Sequence, residues 1–324
     1  MIAFASNSLL CRAALKQTSI DAASFTFIRI FSGAVALWLI LQIRKKLIVE
    51  RTAPPLVESP AGSLAAPKPR EGGSPVTNAS PARTHLSLSA GNWPSALALF
   101  VYAAAFSFAY NTLAAGTGAL LLFGAVQATM ILWGFRKGER LHMIQLVGLL
   151  VAVGGLVVLV FPGLSAPPLI GSMLMLSAGI AWGIYSLRGK TAGDAIAATA
   201  GNFLRAVPFA ALVSVILWPK IQLDSLGVTY AVISGAITSG LGYVIWYAAL
   251  AGLKSASAAT VQLSVPVLAA TGGILLLGEP ITLRYMIASV AVLGGIFLVV
   301  IEKRIGPSSP QDESVRLADR TGDY

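Results

Sequence analysis

Long apolar runs, separated by short polar segments, dominate the chain. A helix that crosses a bilayer needs about 20 mostly apolar residues, and ten stretches of the sequence approach that length. We predict membrane-spanning helices at residues 1–16, 24–43, 94–113, 116–135, 142–162, 168–187, 198–218, 226–250, 255–277 and 284–301. The first is the weakest because Arg12 and several polar residues interrupt it. It lacks the basic leading region of a signal peptide, so we interpret it as a spanning helix.

Two segments break this apolar pattern. Residues 47–92 are rich in Pro, Ser, Ala and Gly and hold few large apolar side chains, and residues 305–324 are mostly polar. Neither segment can bury enough apolar surface to offset the entropy lost on ordering the chain. We therefore predict a disordered loop at 47–92 and a disordered tail at 305–324.

The composition agrees with a membrane location. Hydrophobic residues make up 56% of the 324 residues, charged residues only 11%, and the mean hydropathy is +0.78. A soluble domain carries about 25% charged residues, because its surface must meet water. Lipid is the solvent that fits such a surface, and only helices or closed barrels satisfy their backbone groups there. We predict an all-α integral membrane protein that crosses the lipid bilayer several times.

Most of the basic residues behind the net charge of +10 lie in the segments between the predicted spans. Short clusters such as Arg44–Lys46 and Arg136-Lys137 form no basic face, which argues against a nucleic-acid partner. If the N-terminus is cytoplasmic, the cytoplasmic segments hold 17 of the 23 Lys and Arg residues. Because cytoplasmic loops carry an excess of Lys and Arg, we predict that both termini are cytoplasmic.

The two halves of the chain resemble each other. Gly138-Glu139 recurs 140 residues later as Gly278-Glu279, and Gly154-Gly155 recurs at the same offset as Gly294-Gly295. The sequence therefore predicts one repeat over 1–162, which contains the 47–92 insertion, and a second over 168–304. Each repeat holds five predicted spans. An odd number inserts the second repeat upside down relative to the first, an arrangement typical of alternating-access carriers.

The front of each repeat carries a matching pair of arginines. Arg12 and Arg29 are 17 residues apart, as are Arg188 and Arg205. The second arginine of each pair lies two residues after a phenylalanine, in Phe27-Ile28-Arg29 and in Phe203-Leu204-Arg205.

This ordered, duplicated set resembles the EamA-type carriers of the drug/metabolite transporter superfamily. With helices numbered by predicted span, the motifs are Phe-x-Arg in helices two and seven and the Gly-Glu pairs that close helices four and nine. A third motif, Tyr-x-x-Leu-Ala, begins at Tyr110 and at Tyr247. The resemblance covers 1–45 and 93–304. It implies a central cavity lined mainly by helices one, three, four, six, eight and nine, substrate export, and a bacterial cytoplasmic membrane. The long 47–92 insertion departs from the family pattern.

Ten polar and aromatic residues within the spans are candidates for lining a substrate cavity. Polar groups are expensive in lipid and usually face the interior of a helix bundle. The candidates are Asn7, Tyr110, Asn111, Gln127, Trp182, Tyr185, Tyr243, Trp246, Tyr247 and Gln262. Any one of them could instead pack between helices or belong to an interfacial aromatic belt.

The charged residues near the spans allow two interpretations. Arg29 and Arg205 could contact an anionic group of the substrate, or could neutralise helix ends and extend towards the interface. Glu139 and Glu279 lie at helix ends, and we expect them to close the fold. No Asp, Glu or His lies near the middle of a predicted span, so we do not expect transport to run through a carboxylate proton relay there.

We predict a secondary transporter that moves a small-molecule metabolite by alternating access, with export favoured over import. The alternative is a non-transporting membrane adaptor that docks a partner through the 47–92 loop. An enzyme is disfavoured, since the sequence shows no nucleophile–base set, no metal-ligand spacing and no phosphate-binding loop, and we expect no metal or cofactor. A channel is disfavoured because no selectivity-filter run is visible. A homodimer is left open.

Overall fold

The computed structural model describes residues 1–52, 90–136, 138, 143–163, 166–189, 194–251 and 261–305, and every regular element within these ranges is helical. The helices are α1 (Ile2–Gln17), α2 (Ala22–Thr52), α3 (Trp93–Tyr110), α4 (Ala115–Arg136), α5 (Met143–Val160), α6 (Leu169–Gly189), α7 (Ala195–Ile216), α8 (Ser225–Ile233), α9 (Gly242–Ala251), α10 (Ser264–Leu277) and α11 (Leu283–Ile305). A π-helical segment, Ser234–Leu241, joins α8 and α9 into one continuous helix, and Trp218–Lys220 forms a short 3₁₀ turn.

Seven helical stretches in the described residues are long and apolar enough to cross a membrane. They are Ala22–Leu47, Trp93–Tyr110, Ala115–Arg136, Met143–Val160, Leu169–Gly189, Ala195–Ile216 and Ser225–Trp246. Two shorter apolar helices cover Ser264–Leu277 and Leu283–Val299. The predicted helical, multi-pass membrane protein is confirmed. The arrangement of ten helices in two inverted repeats stays a prediction.

Most of the two predicted polar segments lies outside the residues that the structure describes. Residues 53–89, the tail from 306 to 324 and Glu139 lie outside the described residues. Within the description, α2 continues to Thr52 and so passes the predicted start of the loop at residue 47. Leu47 is apolar, and residues 48–52 contain no proline or glycine that would disfavour a helix, so α2 continues past residue 47.

Four short polar side chains start helices by capping their first turns. Asn92 accepts a hydrogen bond from the Ser95 N–H at the start of α3. Asp21, Asp194 and Asp224 cap α2, α7 and α8 in the same way. A side-chain oxygen at this position satisfies N–H groups that have no partner within the helix.

Both glycines of the repeated Gly-Glu pairs have a backbone that disfavours other residues. Gly138 has φ +89° and Gly278 has φ +62°. At Gly278 this left-handed conformation ends α10, and the next N–H, that of Glu279, donates to Gly273 O at 3.0 Å. This is how many helices end, and it explains why glycine precedes glutamate at both matched sites.

The fifth helices of the two predicted repeats, α5 and α11, pack along each other through glycines. A Cβ atom on Gly155 would lie 2.8 Å from Ala291 Cβ, and one on Gly295 would lie 2.7 Å from Ala152 N. By contrast, a Cβ on Gly154 or Gly294 would meet no atom within 4 Å. The second glycine of each pair therefore permits close contact, and the first does not take part in it.

Asp21 joins the start of α2 to the segment before α8. Its Oδ1 accepts from the N–H groups of Ala23 and Ser24, and its Oδ2 accepts from Gln222 N, each at 2.9 Å. Partial burial acts to raise the pKa of Asp21. The hydrogen bonds from Ser24, Gln222 and Ala23 together outweigh burial and lower this pKa.

We expect Gly155→Ala and Gly295→Ala to lower the free energy of unfolding by about 1–3 kcal/mol, because the added methyl groups collide with the facing helix. The matched controls Gly154→Ala and Gly294→Ala should leave it unchanged or raise it slightly, since alanine favours a helix over glycine. Thermal unfolding of the four purified variants in one detergent measures this. Equal effects within each pair would contradict the packing described.

We expect Asp21→Ala to reduce the free energy of unfolding by about 1 kcal/mol at neutral pH, since a cap and the link to Gln222 are lost. Because folding lowers the pKa of Asp21, its contribution is complete above the unfolded value of about 3.9 and is lost as the pH falls through the folded value. The difference between wild type and variant should therefore shrink below about pH 4. Melting temperatures across this range test the claim, and a constant difference would contradict it.

Candidate functional site

An arginine is buried among the helices of the described bundle. Arg29, on α2, is 2% exposed. Its Nε donates to Ser239 Oγ at 3.3 Å, and its Nη2 donates to Tyr102 OH at 3.1 Å. The guanidinium carbon lies 5.3 Å from the centre of the Tyr102 ring and 4.9 Å from that of Phe106, within the range of cation–π attraction. Its Nη1 has no hydrogen-bond partner among the described residues.

A chain of hydrogen bonds connects this arginine with α1 and with the π-helical segment. Asn7 Nδ2 donates to Tyr102 OH at 3.4 Å. Asn7 Oδ1 accepts from Ser234 Oγ at 2.6 Å and from Thr238 Oγ1 at 3.3 Å. We call Arg29, Asn7, Tyr102, Ser234, Thr238 and Ser239 the central cluster.

The π-helical segment places the hydroxyl groups of this cluster. A Cβ on Gly235 would collide with Arg29 O and Ser32 Oγ, so α2 and the segment touch backbone to backbone. This close approach brings Ser239 to Arg29, while the wider π turn directs Ser234 and Thr238 towards α1. Short π-helical stretches inside α-helices occur often at functional sites.

A small cavity adjoins the central cluster. Its lining consists of Phe4, Asn7, Tyr102, Phe106, Leu122, Phe123 and Trp182. We call it the central cavity. Its volume is about 10 Å³, which is room for one water molecule. A metabolite can enter only if the surrounding helices move apart.

Phe4, on α1, occupies the middle of an aromatic group next to this cavity. Its ring centre lies 6.2 Å from that of Trp182, 5.9 Å from that of Tyr243 and 5.8 Å from that of Trp246. Trp182 in turn lies 4.8 Å from Tyr102. These edge and tilted contacts are favourable for aromatic rings and join α1, α3, α6 and the α8–α9 helix.

One end of the bundle is closed by Arg12 and Glu279, and we call it the Arg12 end. Arg12 Nε donates to Glu279 Oε1 at 3.0 Å, and Arg12 Nη1 donates to Tyr110 O at 2.8 Å. The other carboxylate oxygen, Glu279 Oε2, accepts from Ala115 N at 2.7 Å. The charge pair therefore ties α1 to the α3–α4 turn and to the end of α10.

The opposite end is closed around the start of α3, and we call it the Arg188 end. Arg188 Nε donates to Ser95 Oγ at 2.9 Å, and the Asn92 N–H donates to Asn202 Oδ1 at 2.9 Å. Arg205 Nη1 donates to Ala90 O at 2.9 Å. These bonds attach the start of α3 to α6 and α7.

A larger cavity, of about 200 Å³, opens at the Arg12 end. Leu113, Leu159 and Ile274 supply apolar walls, and Glu279 and Tyr285 supply polar groups. The cavity lies among α4, α10, α11 and the α5–α6 connection, so it is separate from the central cavity.

The structure brings five of the predicted lining residues together. Asn7 and Trp182 line the central cavity, while Tyr243 and Trp246 pack on Phe4 beside it. The ring centre of Tyr185 lies 5.5 Å from that of Trp182, with the two rings tilted.

The remaining candidates lie elsewhere. Buried Gln127 lines a small cleft between α4, α5 and α11. Tyr110 OH donates to Ala115 O at 3.2 Å near the Arg12 end, where the exposed Asn111 contributes only its carbonyl to Arg12. Gln262 lies next to residues outside the description. Tyr247 lies on α9, and its side chain is not among those described.

Several residues of the site were not predicted from the sequence. Tyr102 and Phe106 hold Arg29, and Phe4 fills the aromatic group. A signal for two of them existed, because Tyr102, Phe106 and Tyr110 recur every four residues and form one aromatic stripe on α3. The hydroxyls of the π-helical segment carry no comparable signal.

Four acidic side chains that the structure describes have structural partners. Asp21, Asp194 and Asp224 cap helices, and Glu279 is paired with Arg12. The described residues contain no group of three His, Cys, Asp or Glu side chains that could hold a metal ion.

Comparison with known proteins agrees with this architecture. The sequence profile of the EamA-like transporter family matches residues 169–301. An uncharacterized protein of Pseudomonas aeruginosa is 52% identical over 300 residues, which is 93% of this chain and 91% of that protein. Proteins named "Probable amino-acid metabolite efflux pump" from Salmonella typhimurium and Escherichia coli are 24% and 25% identical, over 59% of this chain and 69% of theirs.

A solved crystal structure has the same fold. It aligns with a TM-score of 0.56 at 17% identity, covering 94% of this chain and 97% of that chain. The resemblance inferred from the duplicated motifs is thus confirmed. The chain belongs to the EamA-like transporter family, and it is a multi-pass membrane transporter for a small molecule.

Proposed function

We propose that this protein is a secondary transporter that exports a small metabolite from the cytoplasm by alternating access. The observation that carries the proposal is the central cavity with its polar cluster, held between two ends that are each closed by hydrogen bonds. A transporter of this kind must open one end while the other stays closed.

The contacts between the two halves support an inverted repeat. At the Arg12 end, Asp21, which caps α2, accepts a hydrogen bond from the N–H of Gln222, which precedes α8. At the Arg188 end, Asn202 of α7 bonds to Asn92, which precedes α3. The start of α2 thus contacts the segment before α8 at one end, and α7 contacts the segment before α3 at the opposite end. This is the relation expected of two five-helix repeats inserted in opposite directions.

The two ends are closed by corresponding arginines of the two proposed repeats. Arg12 and Arg188 occupy equivalent positions in the two repeats, and each bonds to one end of α3. Opening the Arg12 end requires the Arg12–Glu279 pair to separate. Opening the Arg188 end requires Asn92 and Ser95 to leave Asn202 and Arg188.

The central cavity is the proposed substrate site, and Asn7, Trp182 and the Phe4 aromatic group are the proposed contacts. The cavity is too small for a metabolite in this conformation, so the proposal includes an outward movement of α1, which carries Phe4. The two relatives named amino-acid metabolite efflux pumps make such metabolites the first substrates to test.

The proposed location is the cytoplasmic membrane with both termini inside, on the strength of the Lys and Arg distribution. In that orientation the Arg12 end faces outward and the Arg188 end faces the cytoplasm. We also propose that no mid-membrane carboxylate relays protons, since Glu279 lies at the Arg12 end and forms an ion pair.

We expect Trp182→Leu to lower export about tenfold, because a buried ring that lines the cavity is lost. The matched control is Trp38→Leu, since Trp38 lies on the outer face of α2 and is 42% exposed. The measurement compares metabolites in the medium of cells that produce wild type or either variant at equal membrane levels.

One solute class should leave the cells with wild type and with Trp38→Leu, and much less with Trp182→Leu. Identical metabolite profiles for cells that produce the wild type and cells that lack the protein would contradict export. Uptake would then be tested, followed by capture of a protein partner on the 47–92 segment, which is the adaptor alternative.

A further inference from the structure

We propose that the central cluster binds the carboxylate of a small organic anion and that Arg29 supplies its positive partner. The inference rests on the proposed transport function and names the substrate class for that site. The carboxylate would be carried by a molecule with an aromatic or branched apolar group.

The first argument is the missing counter-ion of Arg29. Buried charges in proteins are normally paired, and arginine does not become neutral by losing its proton. The ion pairs in the described residues are Arg12–Glu279 and Arg44–Asp194, and neither involves Arg29. Its contacts are two hydroxyl groups and two aromatic rings, and Nη1 has no hydrogen-bond partner in the described residues.

The second argument is the geometry of the donors around Arg29. Tyr102 OH and Ser239 Oγ accept hydrogen bonds from the guanidinium, so each hydroxyl keeps its own hydrogen to donate. A planar carboxylate can accept from Nη1 and from one of these hydroxyls together. Of these two bonds, the one from Nη1 is the stronger, because the guanidinium and the carboxylate are both charged.

The third argument is the apolar surface beside the cluster. Tyr102 belongs both to the cluster and to the lining of the central cavity, whose other walls include Phe106, Leu122, Phe123 and Trp182. Phe4 fills the adjoining space between Trp182, Tyr243 and Trp246. An apolar group of the ligand takes the place of the Phe4 ring when α1 moves.

The described residues around the cavity supply no carboxylate for an amino group of the ligand. The rings can tolerate an ammonium group by cation–π attraction, but they do not require one. The site should therefore recognise the carboxylate and be indifferent to the amine.

Three probes separate these groups: L-phenylalanine, N-acetyl-L-phenylalanine and L-phenylalaninamide. The first two carry the carboxylate, and the third carries only the ammonium group. Binding to the purified full chain is followed by tryptophan fluorescence, since Trp182 lines the cavity, and by melting temperature. We expect both carboxylates to bind, and the amide to bind at least about tenfold more weakly.

Substitutions at Arg29 test the assignment to that residue. Arg29→Gln should weaken both carboxylates about tenfold or more, and Arg29→Lys should recover only part of the loss, because lysine lacks the planar fork. The control Arg44→Gln removes a partly exposed arginine from the Arg188 end and should leave binding unchanged. If Arg29→Gln does not fold, Tyr102→Phe and Ser239→Ala remove the two hydroxyl donors while keeping ring and size, and each should weaken the carboxylates.

Several results would overturn the inference. These are equal binding of the amide, no binding of any probe to wild type, or carboxylate binding that survives in folded Arg29→Gln and in both hydroxyl variants. Inorganic phosphate that raises the melting temperature as much as the carboxylates do would also overturn it, since an organic anion would then not be the preferred ligand.

Failure here can be separated from failure of the transport proposal. If wild type and Arg29→Gln export the same solutes equally and those solutes carry no carboxylate, the protein is a transporter and this inference is wrong. If wild type binds the carboxylates but exports no solute, the site stands and export is contradicted.

Discussion

The hydrogen bonds of Arg29 are the interaction on which the centre of this protein depends. A charged group inside a membrane bundle is costly unless other groups surround it, and Arg29 gathers two hydroxyls and two aromatic rings from neighbouring helices. Tyr102 also accepts a hydrogen bond from Asn7, and Asn7 accepts one from Ser234 in the π-helical segment. Four helical elements are thus held together by polar contacts of a kind that lipid cannot supply.

The ends of the bundle are organised differently. At each end an arginine bonds to α3, Arg12 at one end and Arg188 at the other, and each closure consists of a few hydrogen bonds. The helices α5 and α11, by contrast, meet through glycines along their length, and this close packing is suited to a rigid support. Close packing between two helices, with a few hydrogen bonds at each end of the bundle, fits the alternating opening proposed above.

Much of the helix pattern could be predicted because apolar length alone marks a membrane helix. The predicted span 226–250 corresponds to the continuous α8–α9 helix, and 284–301 falls within α11. The direction in which a side chain points was less predictable. Asn7 and Trp182 do reach the central cavity, but Gln127 faces the cleft towards α5, because polarity within a span does not identify which neighbour a helix face meets. The π-helical segment could not be predicted, since its geometry depends on the tight contact between Gly235 and α2.

The central claim is that the two ends open in alternation, and distances between spin labels test it most directly. In a Cys11→Ser background, one pair of labels at Lys16 and Ile281 spans the Arg12 end, and a second pair at Trp93 and Ala195 spans the Arg188 end. The distance between the two labels of each pair is measured in lipid nanodiscs by double electron–electron resonance spectroscopy. The account predicts two distances for each pair, with the exported solute lengthening one while it shortens the other. A single unchanged distance at both ends, or lengthening at both together, would contradict it.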